Sequence, residues 1–363
     1  MAKSSYVPSG ARIKVIGTGG AGCNAVSRMV REHLRGVEFI AMNTDAQALE
    51  ITEAMQRIQL GEKTTRGLGA GGDHIIGHKA AEESRDAIAE VVSGADMVFV
   101  TAGMGGGTGT GSASIVAEMS KRSGALTIAV VTKPFTFEGA HRNKTAEEGI
   151  KALIDNVDTL IIIPNDRLLE LCDKKTSVDG AFRLADEVLH HGVQAIAEVI
   201  TVPGLINLDF ADIRTIMKDA GPAWMSIGRG TGQNRAIDAA KEALASPLLD
   251  VSMQGAKGVL FNIAGNNLTL YEVNNAAEVI RQAVDPQANV IFGVVIDPNM
   301  GNDVRLTLIA TGFMTREFMV GESKDKELTR ILKGIQDDEL DMPSYMRQRE
   351  AYQSQRTAPS RKN

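Results

Sequence analysis

Along the first 163 residues, short apolar runs alternate with longer stretches whose apolar positions recur every three or four residues. Ile13–Ile16, Val37–Met42, Met97–Thr101, Leu126–Thr132 and Thr159–Ile163 read as buried strands. Strands that alternate with helices predict a parallel, doubly wound sheet, in which ligands sit outside the carboxyl ends of the strands. From Thr176 to Ile200 the pattern is that of one long helix, with Phe182, Ala185, Leu189, Val193, Ile196 and Ile200 on its apolar stripe. A smaller α/β unit follows, with strands at Ala223–Gly228, Gly258–Ala264, Val290–Ile296 and Val304–Thr311 and helices at Asn234–Ala245 and Asn275–Val284.

The expected architecture is therefore α/β: a doubly wound parallel-sheet domain joined by a long central helix to a smaller α/β domain, with a flexible C-terminal tail. The boundaries read as an N-terminal tail at 1–10, the first domain at 11–175, the helix at 176–200, the second domain at 201–316, a linker at 317–336 and a terminal segment at 337–363. In the linker only Leu328, Ile331, Leu332 and Ile335 are periodic, enough for a short amphipathic helix. Beyond it an acidic cluster, Asp337–Asp341, precedes Met342-Pro-Ser-Tyr-Met346 and a basic end. Such a segregated tail fits either a disordered terminus or an interaction peptide whose few apolar residues dock on a partner.

Composition narrows the function. A net charge of −6 and an aromatic content of 4% argue against nucleic-acid binding, which needs basic surface and stacking platforms. The two cysteines, Cys23 and Cys172, lack metal-ligand spacing, so a reducing compartment and no protein-built metal site are expected. The N-terminus has no signal-peptide pattern, and no apolar run approaches the ~20 residues of a membrane span. A cytoplasmic protein is expected.

The candidate chemistry lies in three glycine-rich loops. Residues 103–111 read Gly-Met-Gly-Gly-Gly-Thr-Gly-Thr-Gly between a buried strand and a helix. Such a loop turns successive backbone N–H groups toward one anion, with Thr108 and Thr110 adding hydroxyls. A helix end contributes only ~0.5 of an elementary charge, so a triphosphate held there also needs a divalent cation. No Walker-type Gly-x-x-x-x-Gly-Lys-[Ser/Thr] occurs. A second loop, Gly17-Thr-Gly-Gly-Ala-Gly22, matches Gly-x-Gly-x-x-Gly, with Asp45 where a ribose-binding acid would sit, and alone it would suggest a dinucleotide-dependent oxidoreductase. Gly67-Leu-Gly-Ala-Gly-Gly72 is a third, which a nucleoside triphosphate explains better than a dinucleotide does. The oxidoreductase reading also lacks a catalytic base, because His190 and His191 on the long helix are expected at its surface.

Phe182 and Asp186 are four apart and share a helix face. A ring to stack on and a carboxylate to accept from N1–H and the N2 amine favour guanine, although a core Phe beside a surface Asp has the same spacing. In the loop Thr132–Gly139 and just beyond it, Glu138 can bond ribose hydroxyls and Arg142 can pair with phosphate or ribose oxygens. Asn207, Asp209 and Asp212 are polar groups among apolar neighbours before the second domain. The two aspartates can polarise a water near a magnesium-bound phosphate, or Asp209 can simply cap a helix.

Taken together, Gly105–Gly111, Asn43-Thr-Asp45, Phe137-Glu-Gly139 with Arg142, Phe182 with Asp186, and Asn207–Asp212 resemble the tubulin/FtsZ superfamily, and the FtsZ family in particular. The similarity runs over residues 11–313 through Ser226-Ile-Gly-Arg-Gly230, Asn234-Arg-Ala236 and Ile309–Phe313, and Leu340–Arg347 is similar to the family's C-terminal peptide. The linker is shorter than the family's usual one, and the turn Asp297–Asn302 is less acidic. The resemblance implies a GTPase that binds GTP/GDP with Mg2+ and forms head-to-tail filaments of the division ring. It implies nucleotide contacts from Gly19, Gly20, Ala21, Gly22, Cys23, Asn24, Asn43, Asp45, Ala70 and Gly71, from Gly103, Met104, Gly105, Gly106, Gly107, Thr108, Gly109 and Thr110, and from Thr132, Pro134, Glu138, Arg142, Asn165, Phe182 and Asp186. Asn207, Asp209 and Asp212 would act on the GTP of the next subunit. It further implies membrane-tethering and regulatory division proteins as partners of Asp337–Arg349, and a mid-cell location, without nucleic acid or direct membrane insertion. A nucleotide-binding regulator that neither hydrolyses nor polymerises remains the alternative from sequence.

Overall fold

The computed structural model describes residues 10–313 except 171, 173–174, 202–207 and 250–252. Asn207, the linker and the peptide Asp337–Arg349 thus lie outside the described residues.

Ten strands form one sheet in the order β3-β2-β1-β4-β5-β6-β7-β10-β8-β9. They are β1 Ile13–Thr18, β2 Val37–Asn43, β3 Gln56–Gln59, β4 Met97–Gly103, β5 Leu126–Lys133, β6 Thr159–Pro164, β7 Gly221–Gly230, β8 Gly258–Gly265, β9 Asn289–Ile296 and β10 Val304–Thr311. The helices are α1 Gly19–Arg31, α2 Ala46–Glu50, α3 Glu62–Thr65, α4 His74–Glu83, α5 Arg85–Val92, α6 Thr108–Arg122, α7 Ala140–Ile154, α8 Asn165–Leu169, α9 Val178–Thr201, α10 Phe210–Met217, α11 Arg235–Leu244 and α12 Leu270–Ala283. From β3 to β7 every pairing is parallel. Strand β10 runs antiparallel to both neighbours, β7 and β8, and β9 returns parallel to β8. The two α/β units share this sheet through a short junction, Thr159–Ile161 of β6 against Gly221–Ala223 of β7.

The expected strands are all present within a few residues. Strand β3 escaped the pattern because Gln-Arg-Ile-Gln holds one apolar residue and pairs only with β2 at the sheet edge. Helix α12 starts earlier than its periodicity suggests. Thr269 and Glu272 form a reciprocal capping box that nucleates it while leaving Leu270 and Tyr271 exposed.

The core packs β1, β4, β5 and β6 against α1 and α9, with Val15, Phe99, Ile128, Val130 and Ile161 meeting Val26, Met29, Leu189, Val193 and Ile196. One expectation is corrected here: His190 and His191 are buried, not on the surface. Helix α9 is covered on most sides, so even its polar positions lose water, and burial together with the nearby His191 lowers the His190 pKa to about 3. Neutral and enclosed, it stays a packing residue.

Helices α4 and α6 cross closely enough to bring loop 67–72 to loop 103–109. A Cβ at Gly111 would fall 2.2 Å from the His74 carbonyl oxygen and 2.4 Å from the His78 nitrogen, both backbone atoms. Gly111→Ala is therefore expected to cost about 2 kcal/mol in denaturant unfolding and to weaken nucleotide binding with it. A variant as stable as the parent would contradict this packing.

Candidate nucleotide site

A cavity of about 450 Å3 opens at the carboxyl ends of the parallel strands, where the doubly wound pattern puts ligands. Its inner wall is backbone: Gly20 and Ala21 from the first loop, Ala70 and Gly71 from the second, and Gly103, Met104, Gly106, Gly107, Thr108 and Gly109 from the third. Helices α1 and α6 both begin inside these loops, and at their N-caps the Thr18 hydroxyl accepts no first-turn N–H and Gly107 has no side chain to do so. Their first-turn N–H groups therefore remain available to an anion. Arg142 is the one cation among the described lining residues, and it is tied to Glu138 at 2.6 Å.

Glycine is required where the loops touch. Gly19 has φ +69, and a Cβ there would lie 2.6 Å from the Gly109 nitrogen, so the first and third loops are packed backbone on backbone. A Cβ at Gly22 would lie 2.4 Å from the Thr101 carbonyl oxygen, which fixes how closely α1 approaches β4. Gly105, at φ +99, donates its N–H to Thr110 Oγ1 at 2.9 Å. Thr110 is thus engaged by its own loop, while Thr108 lines the cavity and its hydroxyl meets that of Thr44 at 2.6 Å.

Gly19, Gly22, Cys23, Gly105 and Thr110 do not line the cavity but shape it from behind, and Asn24 faces a neighbouring cleft. Burial pushes the Cys23 thiol up to about 11, leaving it unreactive. Sequence reasoning missed Ala48, Leu68, Gly69 and Ala185 as lining residues. The glycine loop 67–72 was the available signal for two of them.

On the sugar side Asn43 Oδ1 accepts the Asp45 N–H at 3.3 Å, and Asp45 Oδ1 accepts the Ala48 N–H at 3.0 Å, capping α2. Glu138 accepts the Phe135 N–H at 2.9 Å with the oxygen not used by Arg142. At the far end Phe182, Asp186 and Asn165 line the cavity along with Thr132 and Pro134. The Phe182 ring is held edge-on by Phe135 at 5.5 Å and keeps 41% exposure, so a face is open for stacking. Asn165 Oδ1 is buried without a hydrogen-bond partner, an acceptor site that a ligand N–H would satisfy. Burial raises the Asp186 pKa to about 6 against the opposing pull of Arg28.

Asp209 and Asp212 are elsewhere. Phe182 and Asp186, near the start of the 24-residue helix α9, are at the cavity, and from Asp186 to Thr201 the helix advances about 23 Å at ~1.5 Å per residue. At its end Thr201 packs on Gly36, directly before β2, so the chain has crossed to the amino edge of the sheet. Asp209 sits at the N-cap of α10 without accepting a cap bond, Asp212 is in the first turn, and both are exposed. Neither lines the cavity.

Residues 12–173 match the Tubulin/FtsZ family, GTPase domain, and residues 221–314 the FtsZ family, C-terminal domain. An FtsZ dimer structure from M. jannaschii is 47% identical, aligns over 84% of this chain and 89% of its own, and superposes with a TM-score of 0.82. The chain belongs to the FtsZ family. It is a GTPase and binds GTP/GDP, and the dinucleotide suggested by Gly17–Gly22 alone is set aside. CetZ1 from Haloferax volcanii, a GDP-bound monomer, shares the fold at 22% identity and a TM-score of 0.72, over 84% of this chain and 94% of its own. CetZ2 from the same organism, a GTPγS-bound protofilament, does so at 18% identity and a TM-score of 0.72, over 88% and 99%.

Two outcomes are expected of the site. Thr110→Val removes the acceptor of the Gly105 N–H while keeping side-chain shape, and GTP affinity is expected to fall about 5- to 30-fold, the equivalent of ~1–2 kcal/mol. With Asp186 in the guanine-accepting role expected from the sequence, its carboxylate has to be ionised, so affinity is expected to be constant at high pH and to fall as the pH drops through about 6. A titration of nucleotide binding from pH 5 to 8 reads this directly, and a profile flat across that range would contradict it.

Proposed function

We propose that this chain is a GTP-dependent filament-forming protein in which each subunit's C-terminal unit completes the GTPase site of its neighbour. The observation that carries this reading is the separation of the two halves of the chemistry along α9. The cavity has donors for a triphosphate, and of its described lining carboxylates Asp45 caps α2, Glu138 holds Arg142 and Asp186 lies beside Phe182, whereas Asp209 and Asp212 stand exposed at the opposite edge of the sheet. A second subunit docked head to tail brings Asp209 and Asp212 over the first subunit's cavity mouth. Because such a contact joins unlike surfaces, it repeats into a filament. Exposed Leu68 on the cavity rim and Phe137, stacked on Phe135 at 4.9 Å, give the docking face apolar area.

In this mechanism the loops hold the phosphates by N–H groups, and Phe182, Asn165 and Asp186 fix the base. Asp209 and Asp212 from the neighbour, with Asn207, orient the attacking water and accept its proton. Among the described residues no cluster of three or more His, Cys, Asp or Glu forms a metal site. A wall of backbone donors with its single guanidinium already paired fits a nucleotide that arrives with its own Mg2+, which when bound supplies Lewis-acid polarisation and charge neutralisation. Hydrolysis at the contact removes the group that bridges it, and the filament turns over.

The remaining roles follow from the family. The domain at 11–175 holds nucleotide, and the domain at 201–316 activates it. The peptide Asp337–Arg349 recruits membrane-tethering and regulatory division proteins to a cytoplasmic ring at mid-cell. No helix among the described residues is long and apolar enough to cross a membrane.

Phosphate release with GTP and magnesium is expected to rise more steeply than protein concentration above a threshold, together with light scattering. A rate per molecule independent of concentration would refute the shared site. Asp212→Asn is expected to bind GTP within about twofold of the parent and to hydrolyse it at least ~100-fold more slowly. Weak GTP binding by that variant would instead put the residue in its own subunit's pocket.

A further inference from the structure

Beside the base end of the cavity lies a second cleft of about 530 Å3, and Asp186 belongs to the walls of both. The cleft runs between the last turns of α1, with Arg28, Arg31 and Glu32, and the first turns of α9, with Arg183 and Asp186. Two of its three guanidiniums are committed to partners of their own: Arg31 to Glu53 at 2.7 Å and Arg183 to Asp179 at 2.9 Å. Arg28 instead spans the two helices. Its Nε donates to Glu32 at 3.0 Å, its Nη1 donates to the Arg183 carbonyl oxygen at 3.3 Å, and its Nη2 lies 3.7 Å from Glu187.

We infer that Arg28 is a positioning residue for guanine recognition: it braces α1, the helix of the first phosphate loop, against the 183–187 turn of α9 and holds the Asp186 carboxylate in its acceptor form at the base edge. The inference rests on the guanine-reading role given to Asp186 above. Three features support it. The brace joins the helix that starts at the phosphates to the helix that reaches the base, so the distance between the two ends of the ligand is set partly by one side chain. Arg28, on the wall of the same cleft, pulls the Asp186 carboxyl down against the upward push of burial. Among the described residues Arg28 forms its ion pairs with Glu32 and Glu187 and not with Asp186.

The other charged groups on these elements have other partners. Glu187 is held well below its usual range, at about 2, by His191 with Arg28 and Arg229. His190 is neutral, as described above, and its Nδ1 lies 2.8 Å from Glu32. Glu198, with Arg305 and Asp297 near it, is further along α9 and bonds Gln194 at 2.6 Å. Arg28 is therefore the group whose removal changes the field at Asp186 most directly.

The test is equilibrium binding of a fluorescent GDP analogue to the full chain from pH 5 to 8, for the parent, Arg28→Ala and Arg28→Lys. Removing the charge is expected to move the midpoint of the parent profile up by about one unit. Affinity at pH 6.5 then falls about threefold more than at pH 8, where only the loss of the brace is felt. Arg28→Lys keeps the charge and is expected to keep the midpoint. A merely structural role lowers affinity equally at every pH, so an unchanged midpoint in Arg28→Ala overturns the proposal while leaving the reading of Asp186 intact. A parent profile with no fall near pH 6 overturns both. If Arg28→Ala fails to fold, Arg28→Gln, which keeps a donor for the Arg183 carbonyl oxygen but not the charge, is expected to show the same upward shift, and an unshifted profile overturns the proposal.

Discussion

Two backbone segments have to touch for this molecule to hold a triphosphate. Gly19 and Gly109 meet so closely that a Cβ on Gly19 would come within 2.6 Å of the Gly109 nitrogen, and that contact brings the N-termini of α1 and α6 to a common point. With no lysine in the loops, the phosphates depend on these N–H groups, and each is useful only if no side chain stands between it and the ligand. The close approaches at Gly22, Gly77 and Gly111 extend the same requirement outward, since the strands and helices behind the loops must also pack without side chains in between. Binding is thus distributed over the fold instead of being concentrated in one charged residue.

That solution leaves the cavity poor in groups that could activate water. Helix α9 starts at the cavity and delivers the chain to the other edge of the sheet, where Asp209 and Asp212 stand exposed. On the proposed mechanism a subunit holds its substrate but cleaves it only with a neighbour's help, so nucleotide would serve as a mark of recent assembly. The same helix is enclosed along much of its length, which is why His190 and His191, polar in sequence, are packing residues here.

Much of this was legible in the sequence because the information is local. Apolar runs and glycine clusters located β1, β2, β4, β5 and β6 and the loops after them, and the spacing of Phe182 and Asp186 put both on one helix face. What escaped depends on partners remote in the chain. Strand β3 has a single apolar residue and is defined by pairing with β2. Leu68 and Ala48 became lining residues only when the sheet brought loop 67–72 and helix α2 to the cavity, and Thr110 Oγ1 turned to accept the Gly105 N–H. The burial of the two histidines likewise follows from what covers α9, which periodicity alone does not report.

The central claim is that one subunit's carboxylates act on another's nucleotide, and mixing two defective variants tests it most directly. Asp212→Asn keeps its pocket, whereas Gly106→Glu, at a lining glycine where a Cβ meets nothing within 4 Å, keeps the fold and puts a carboxylate where the phosphates go. Each alone should release little phosphate from GTP. Mixed, they form one kind of contact in which an intact pocket faces an intact Asp212, so phosphate release should appear and peak near equal amounts. A mixture no more active than the sum of its parts would contradict the account.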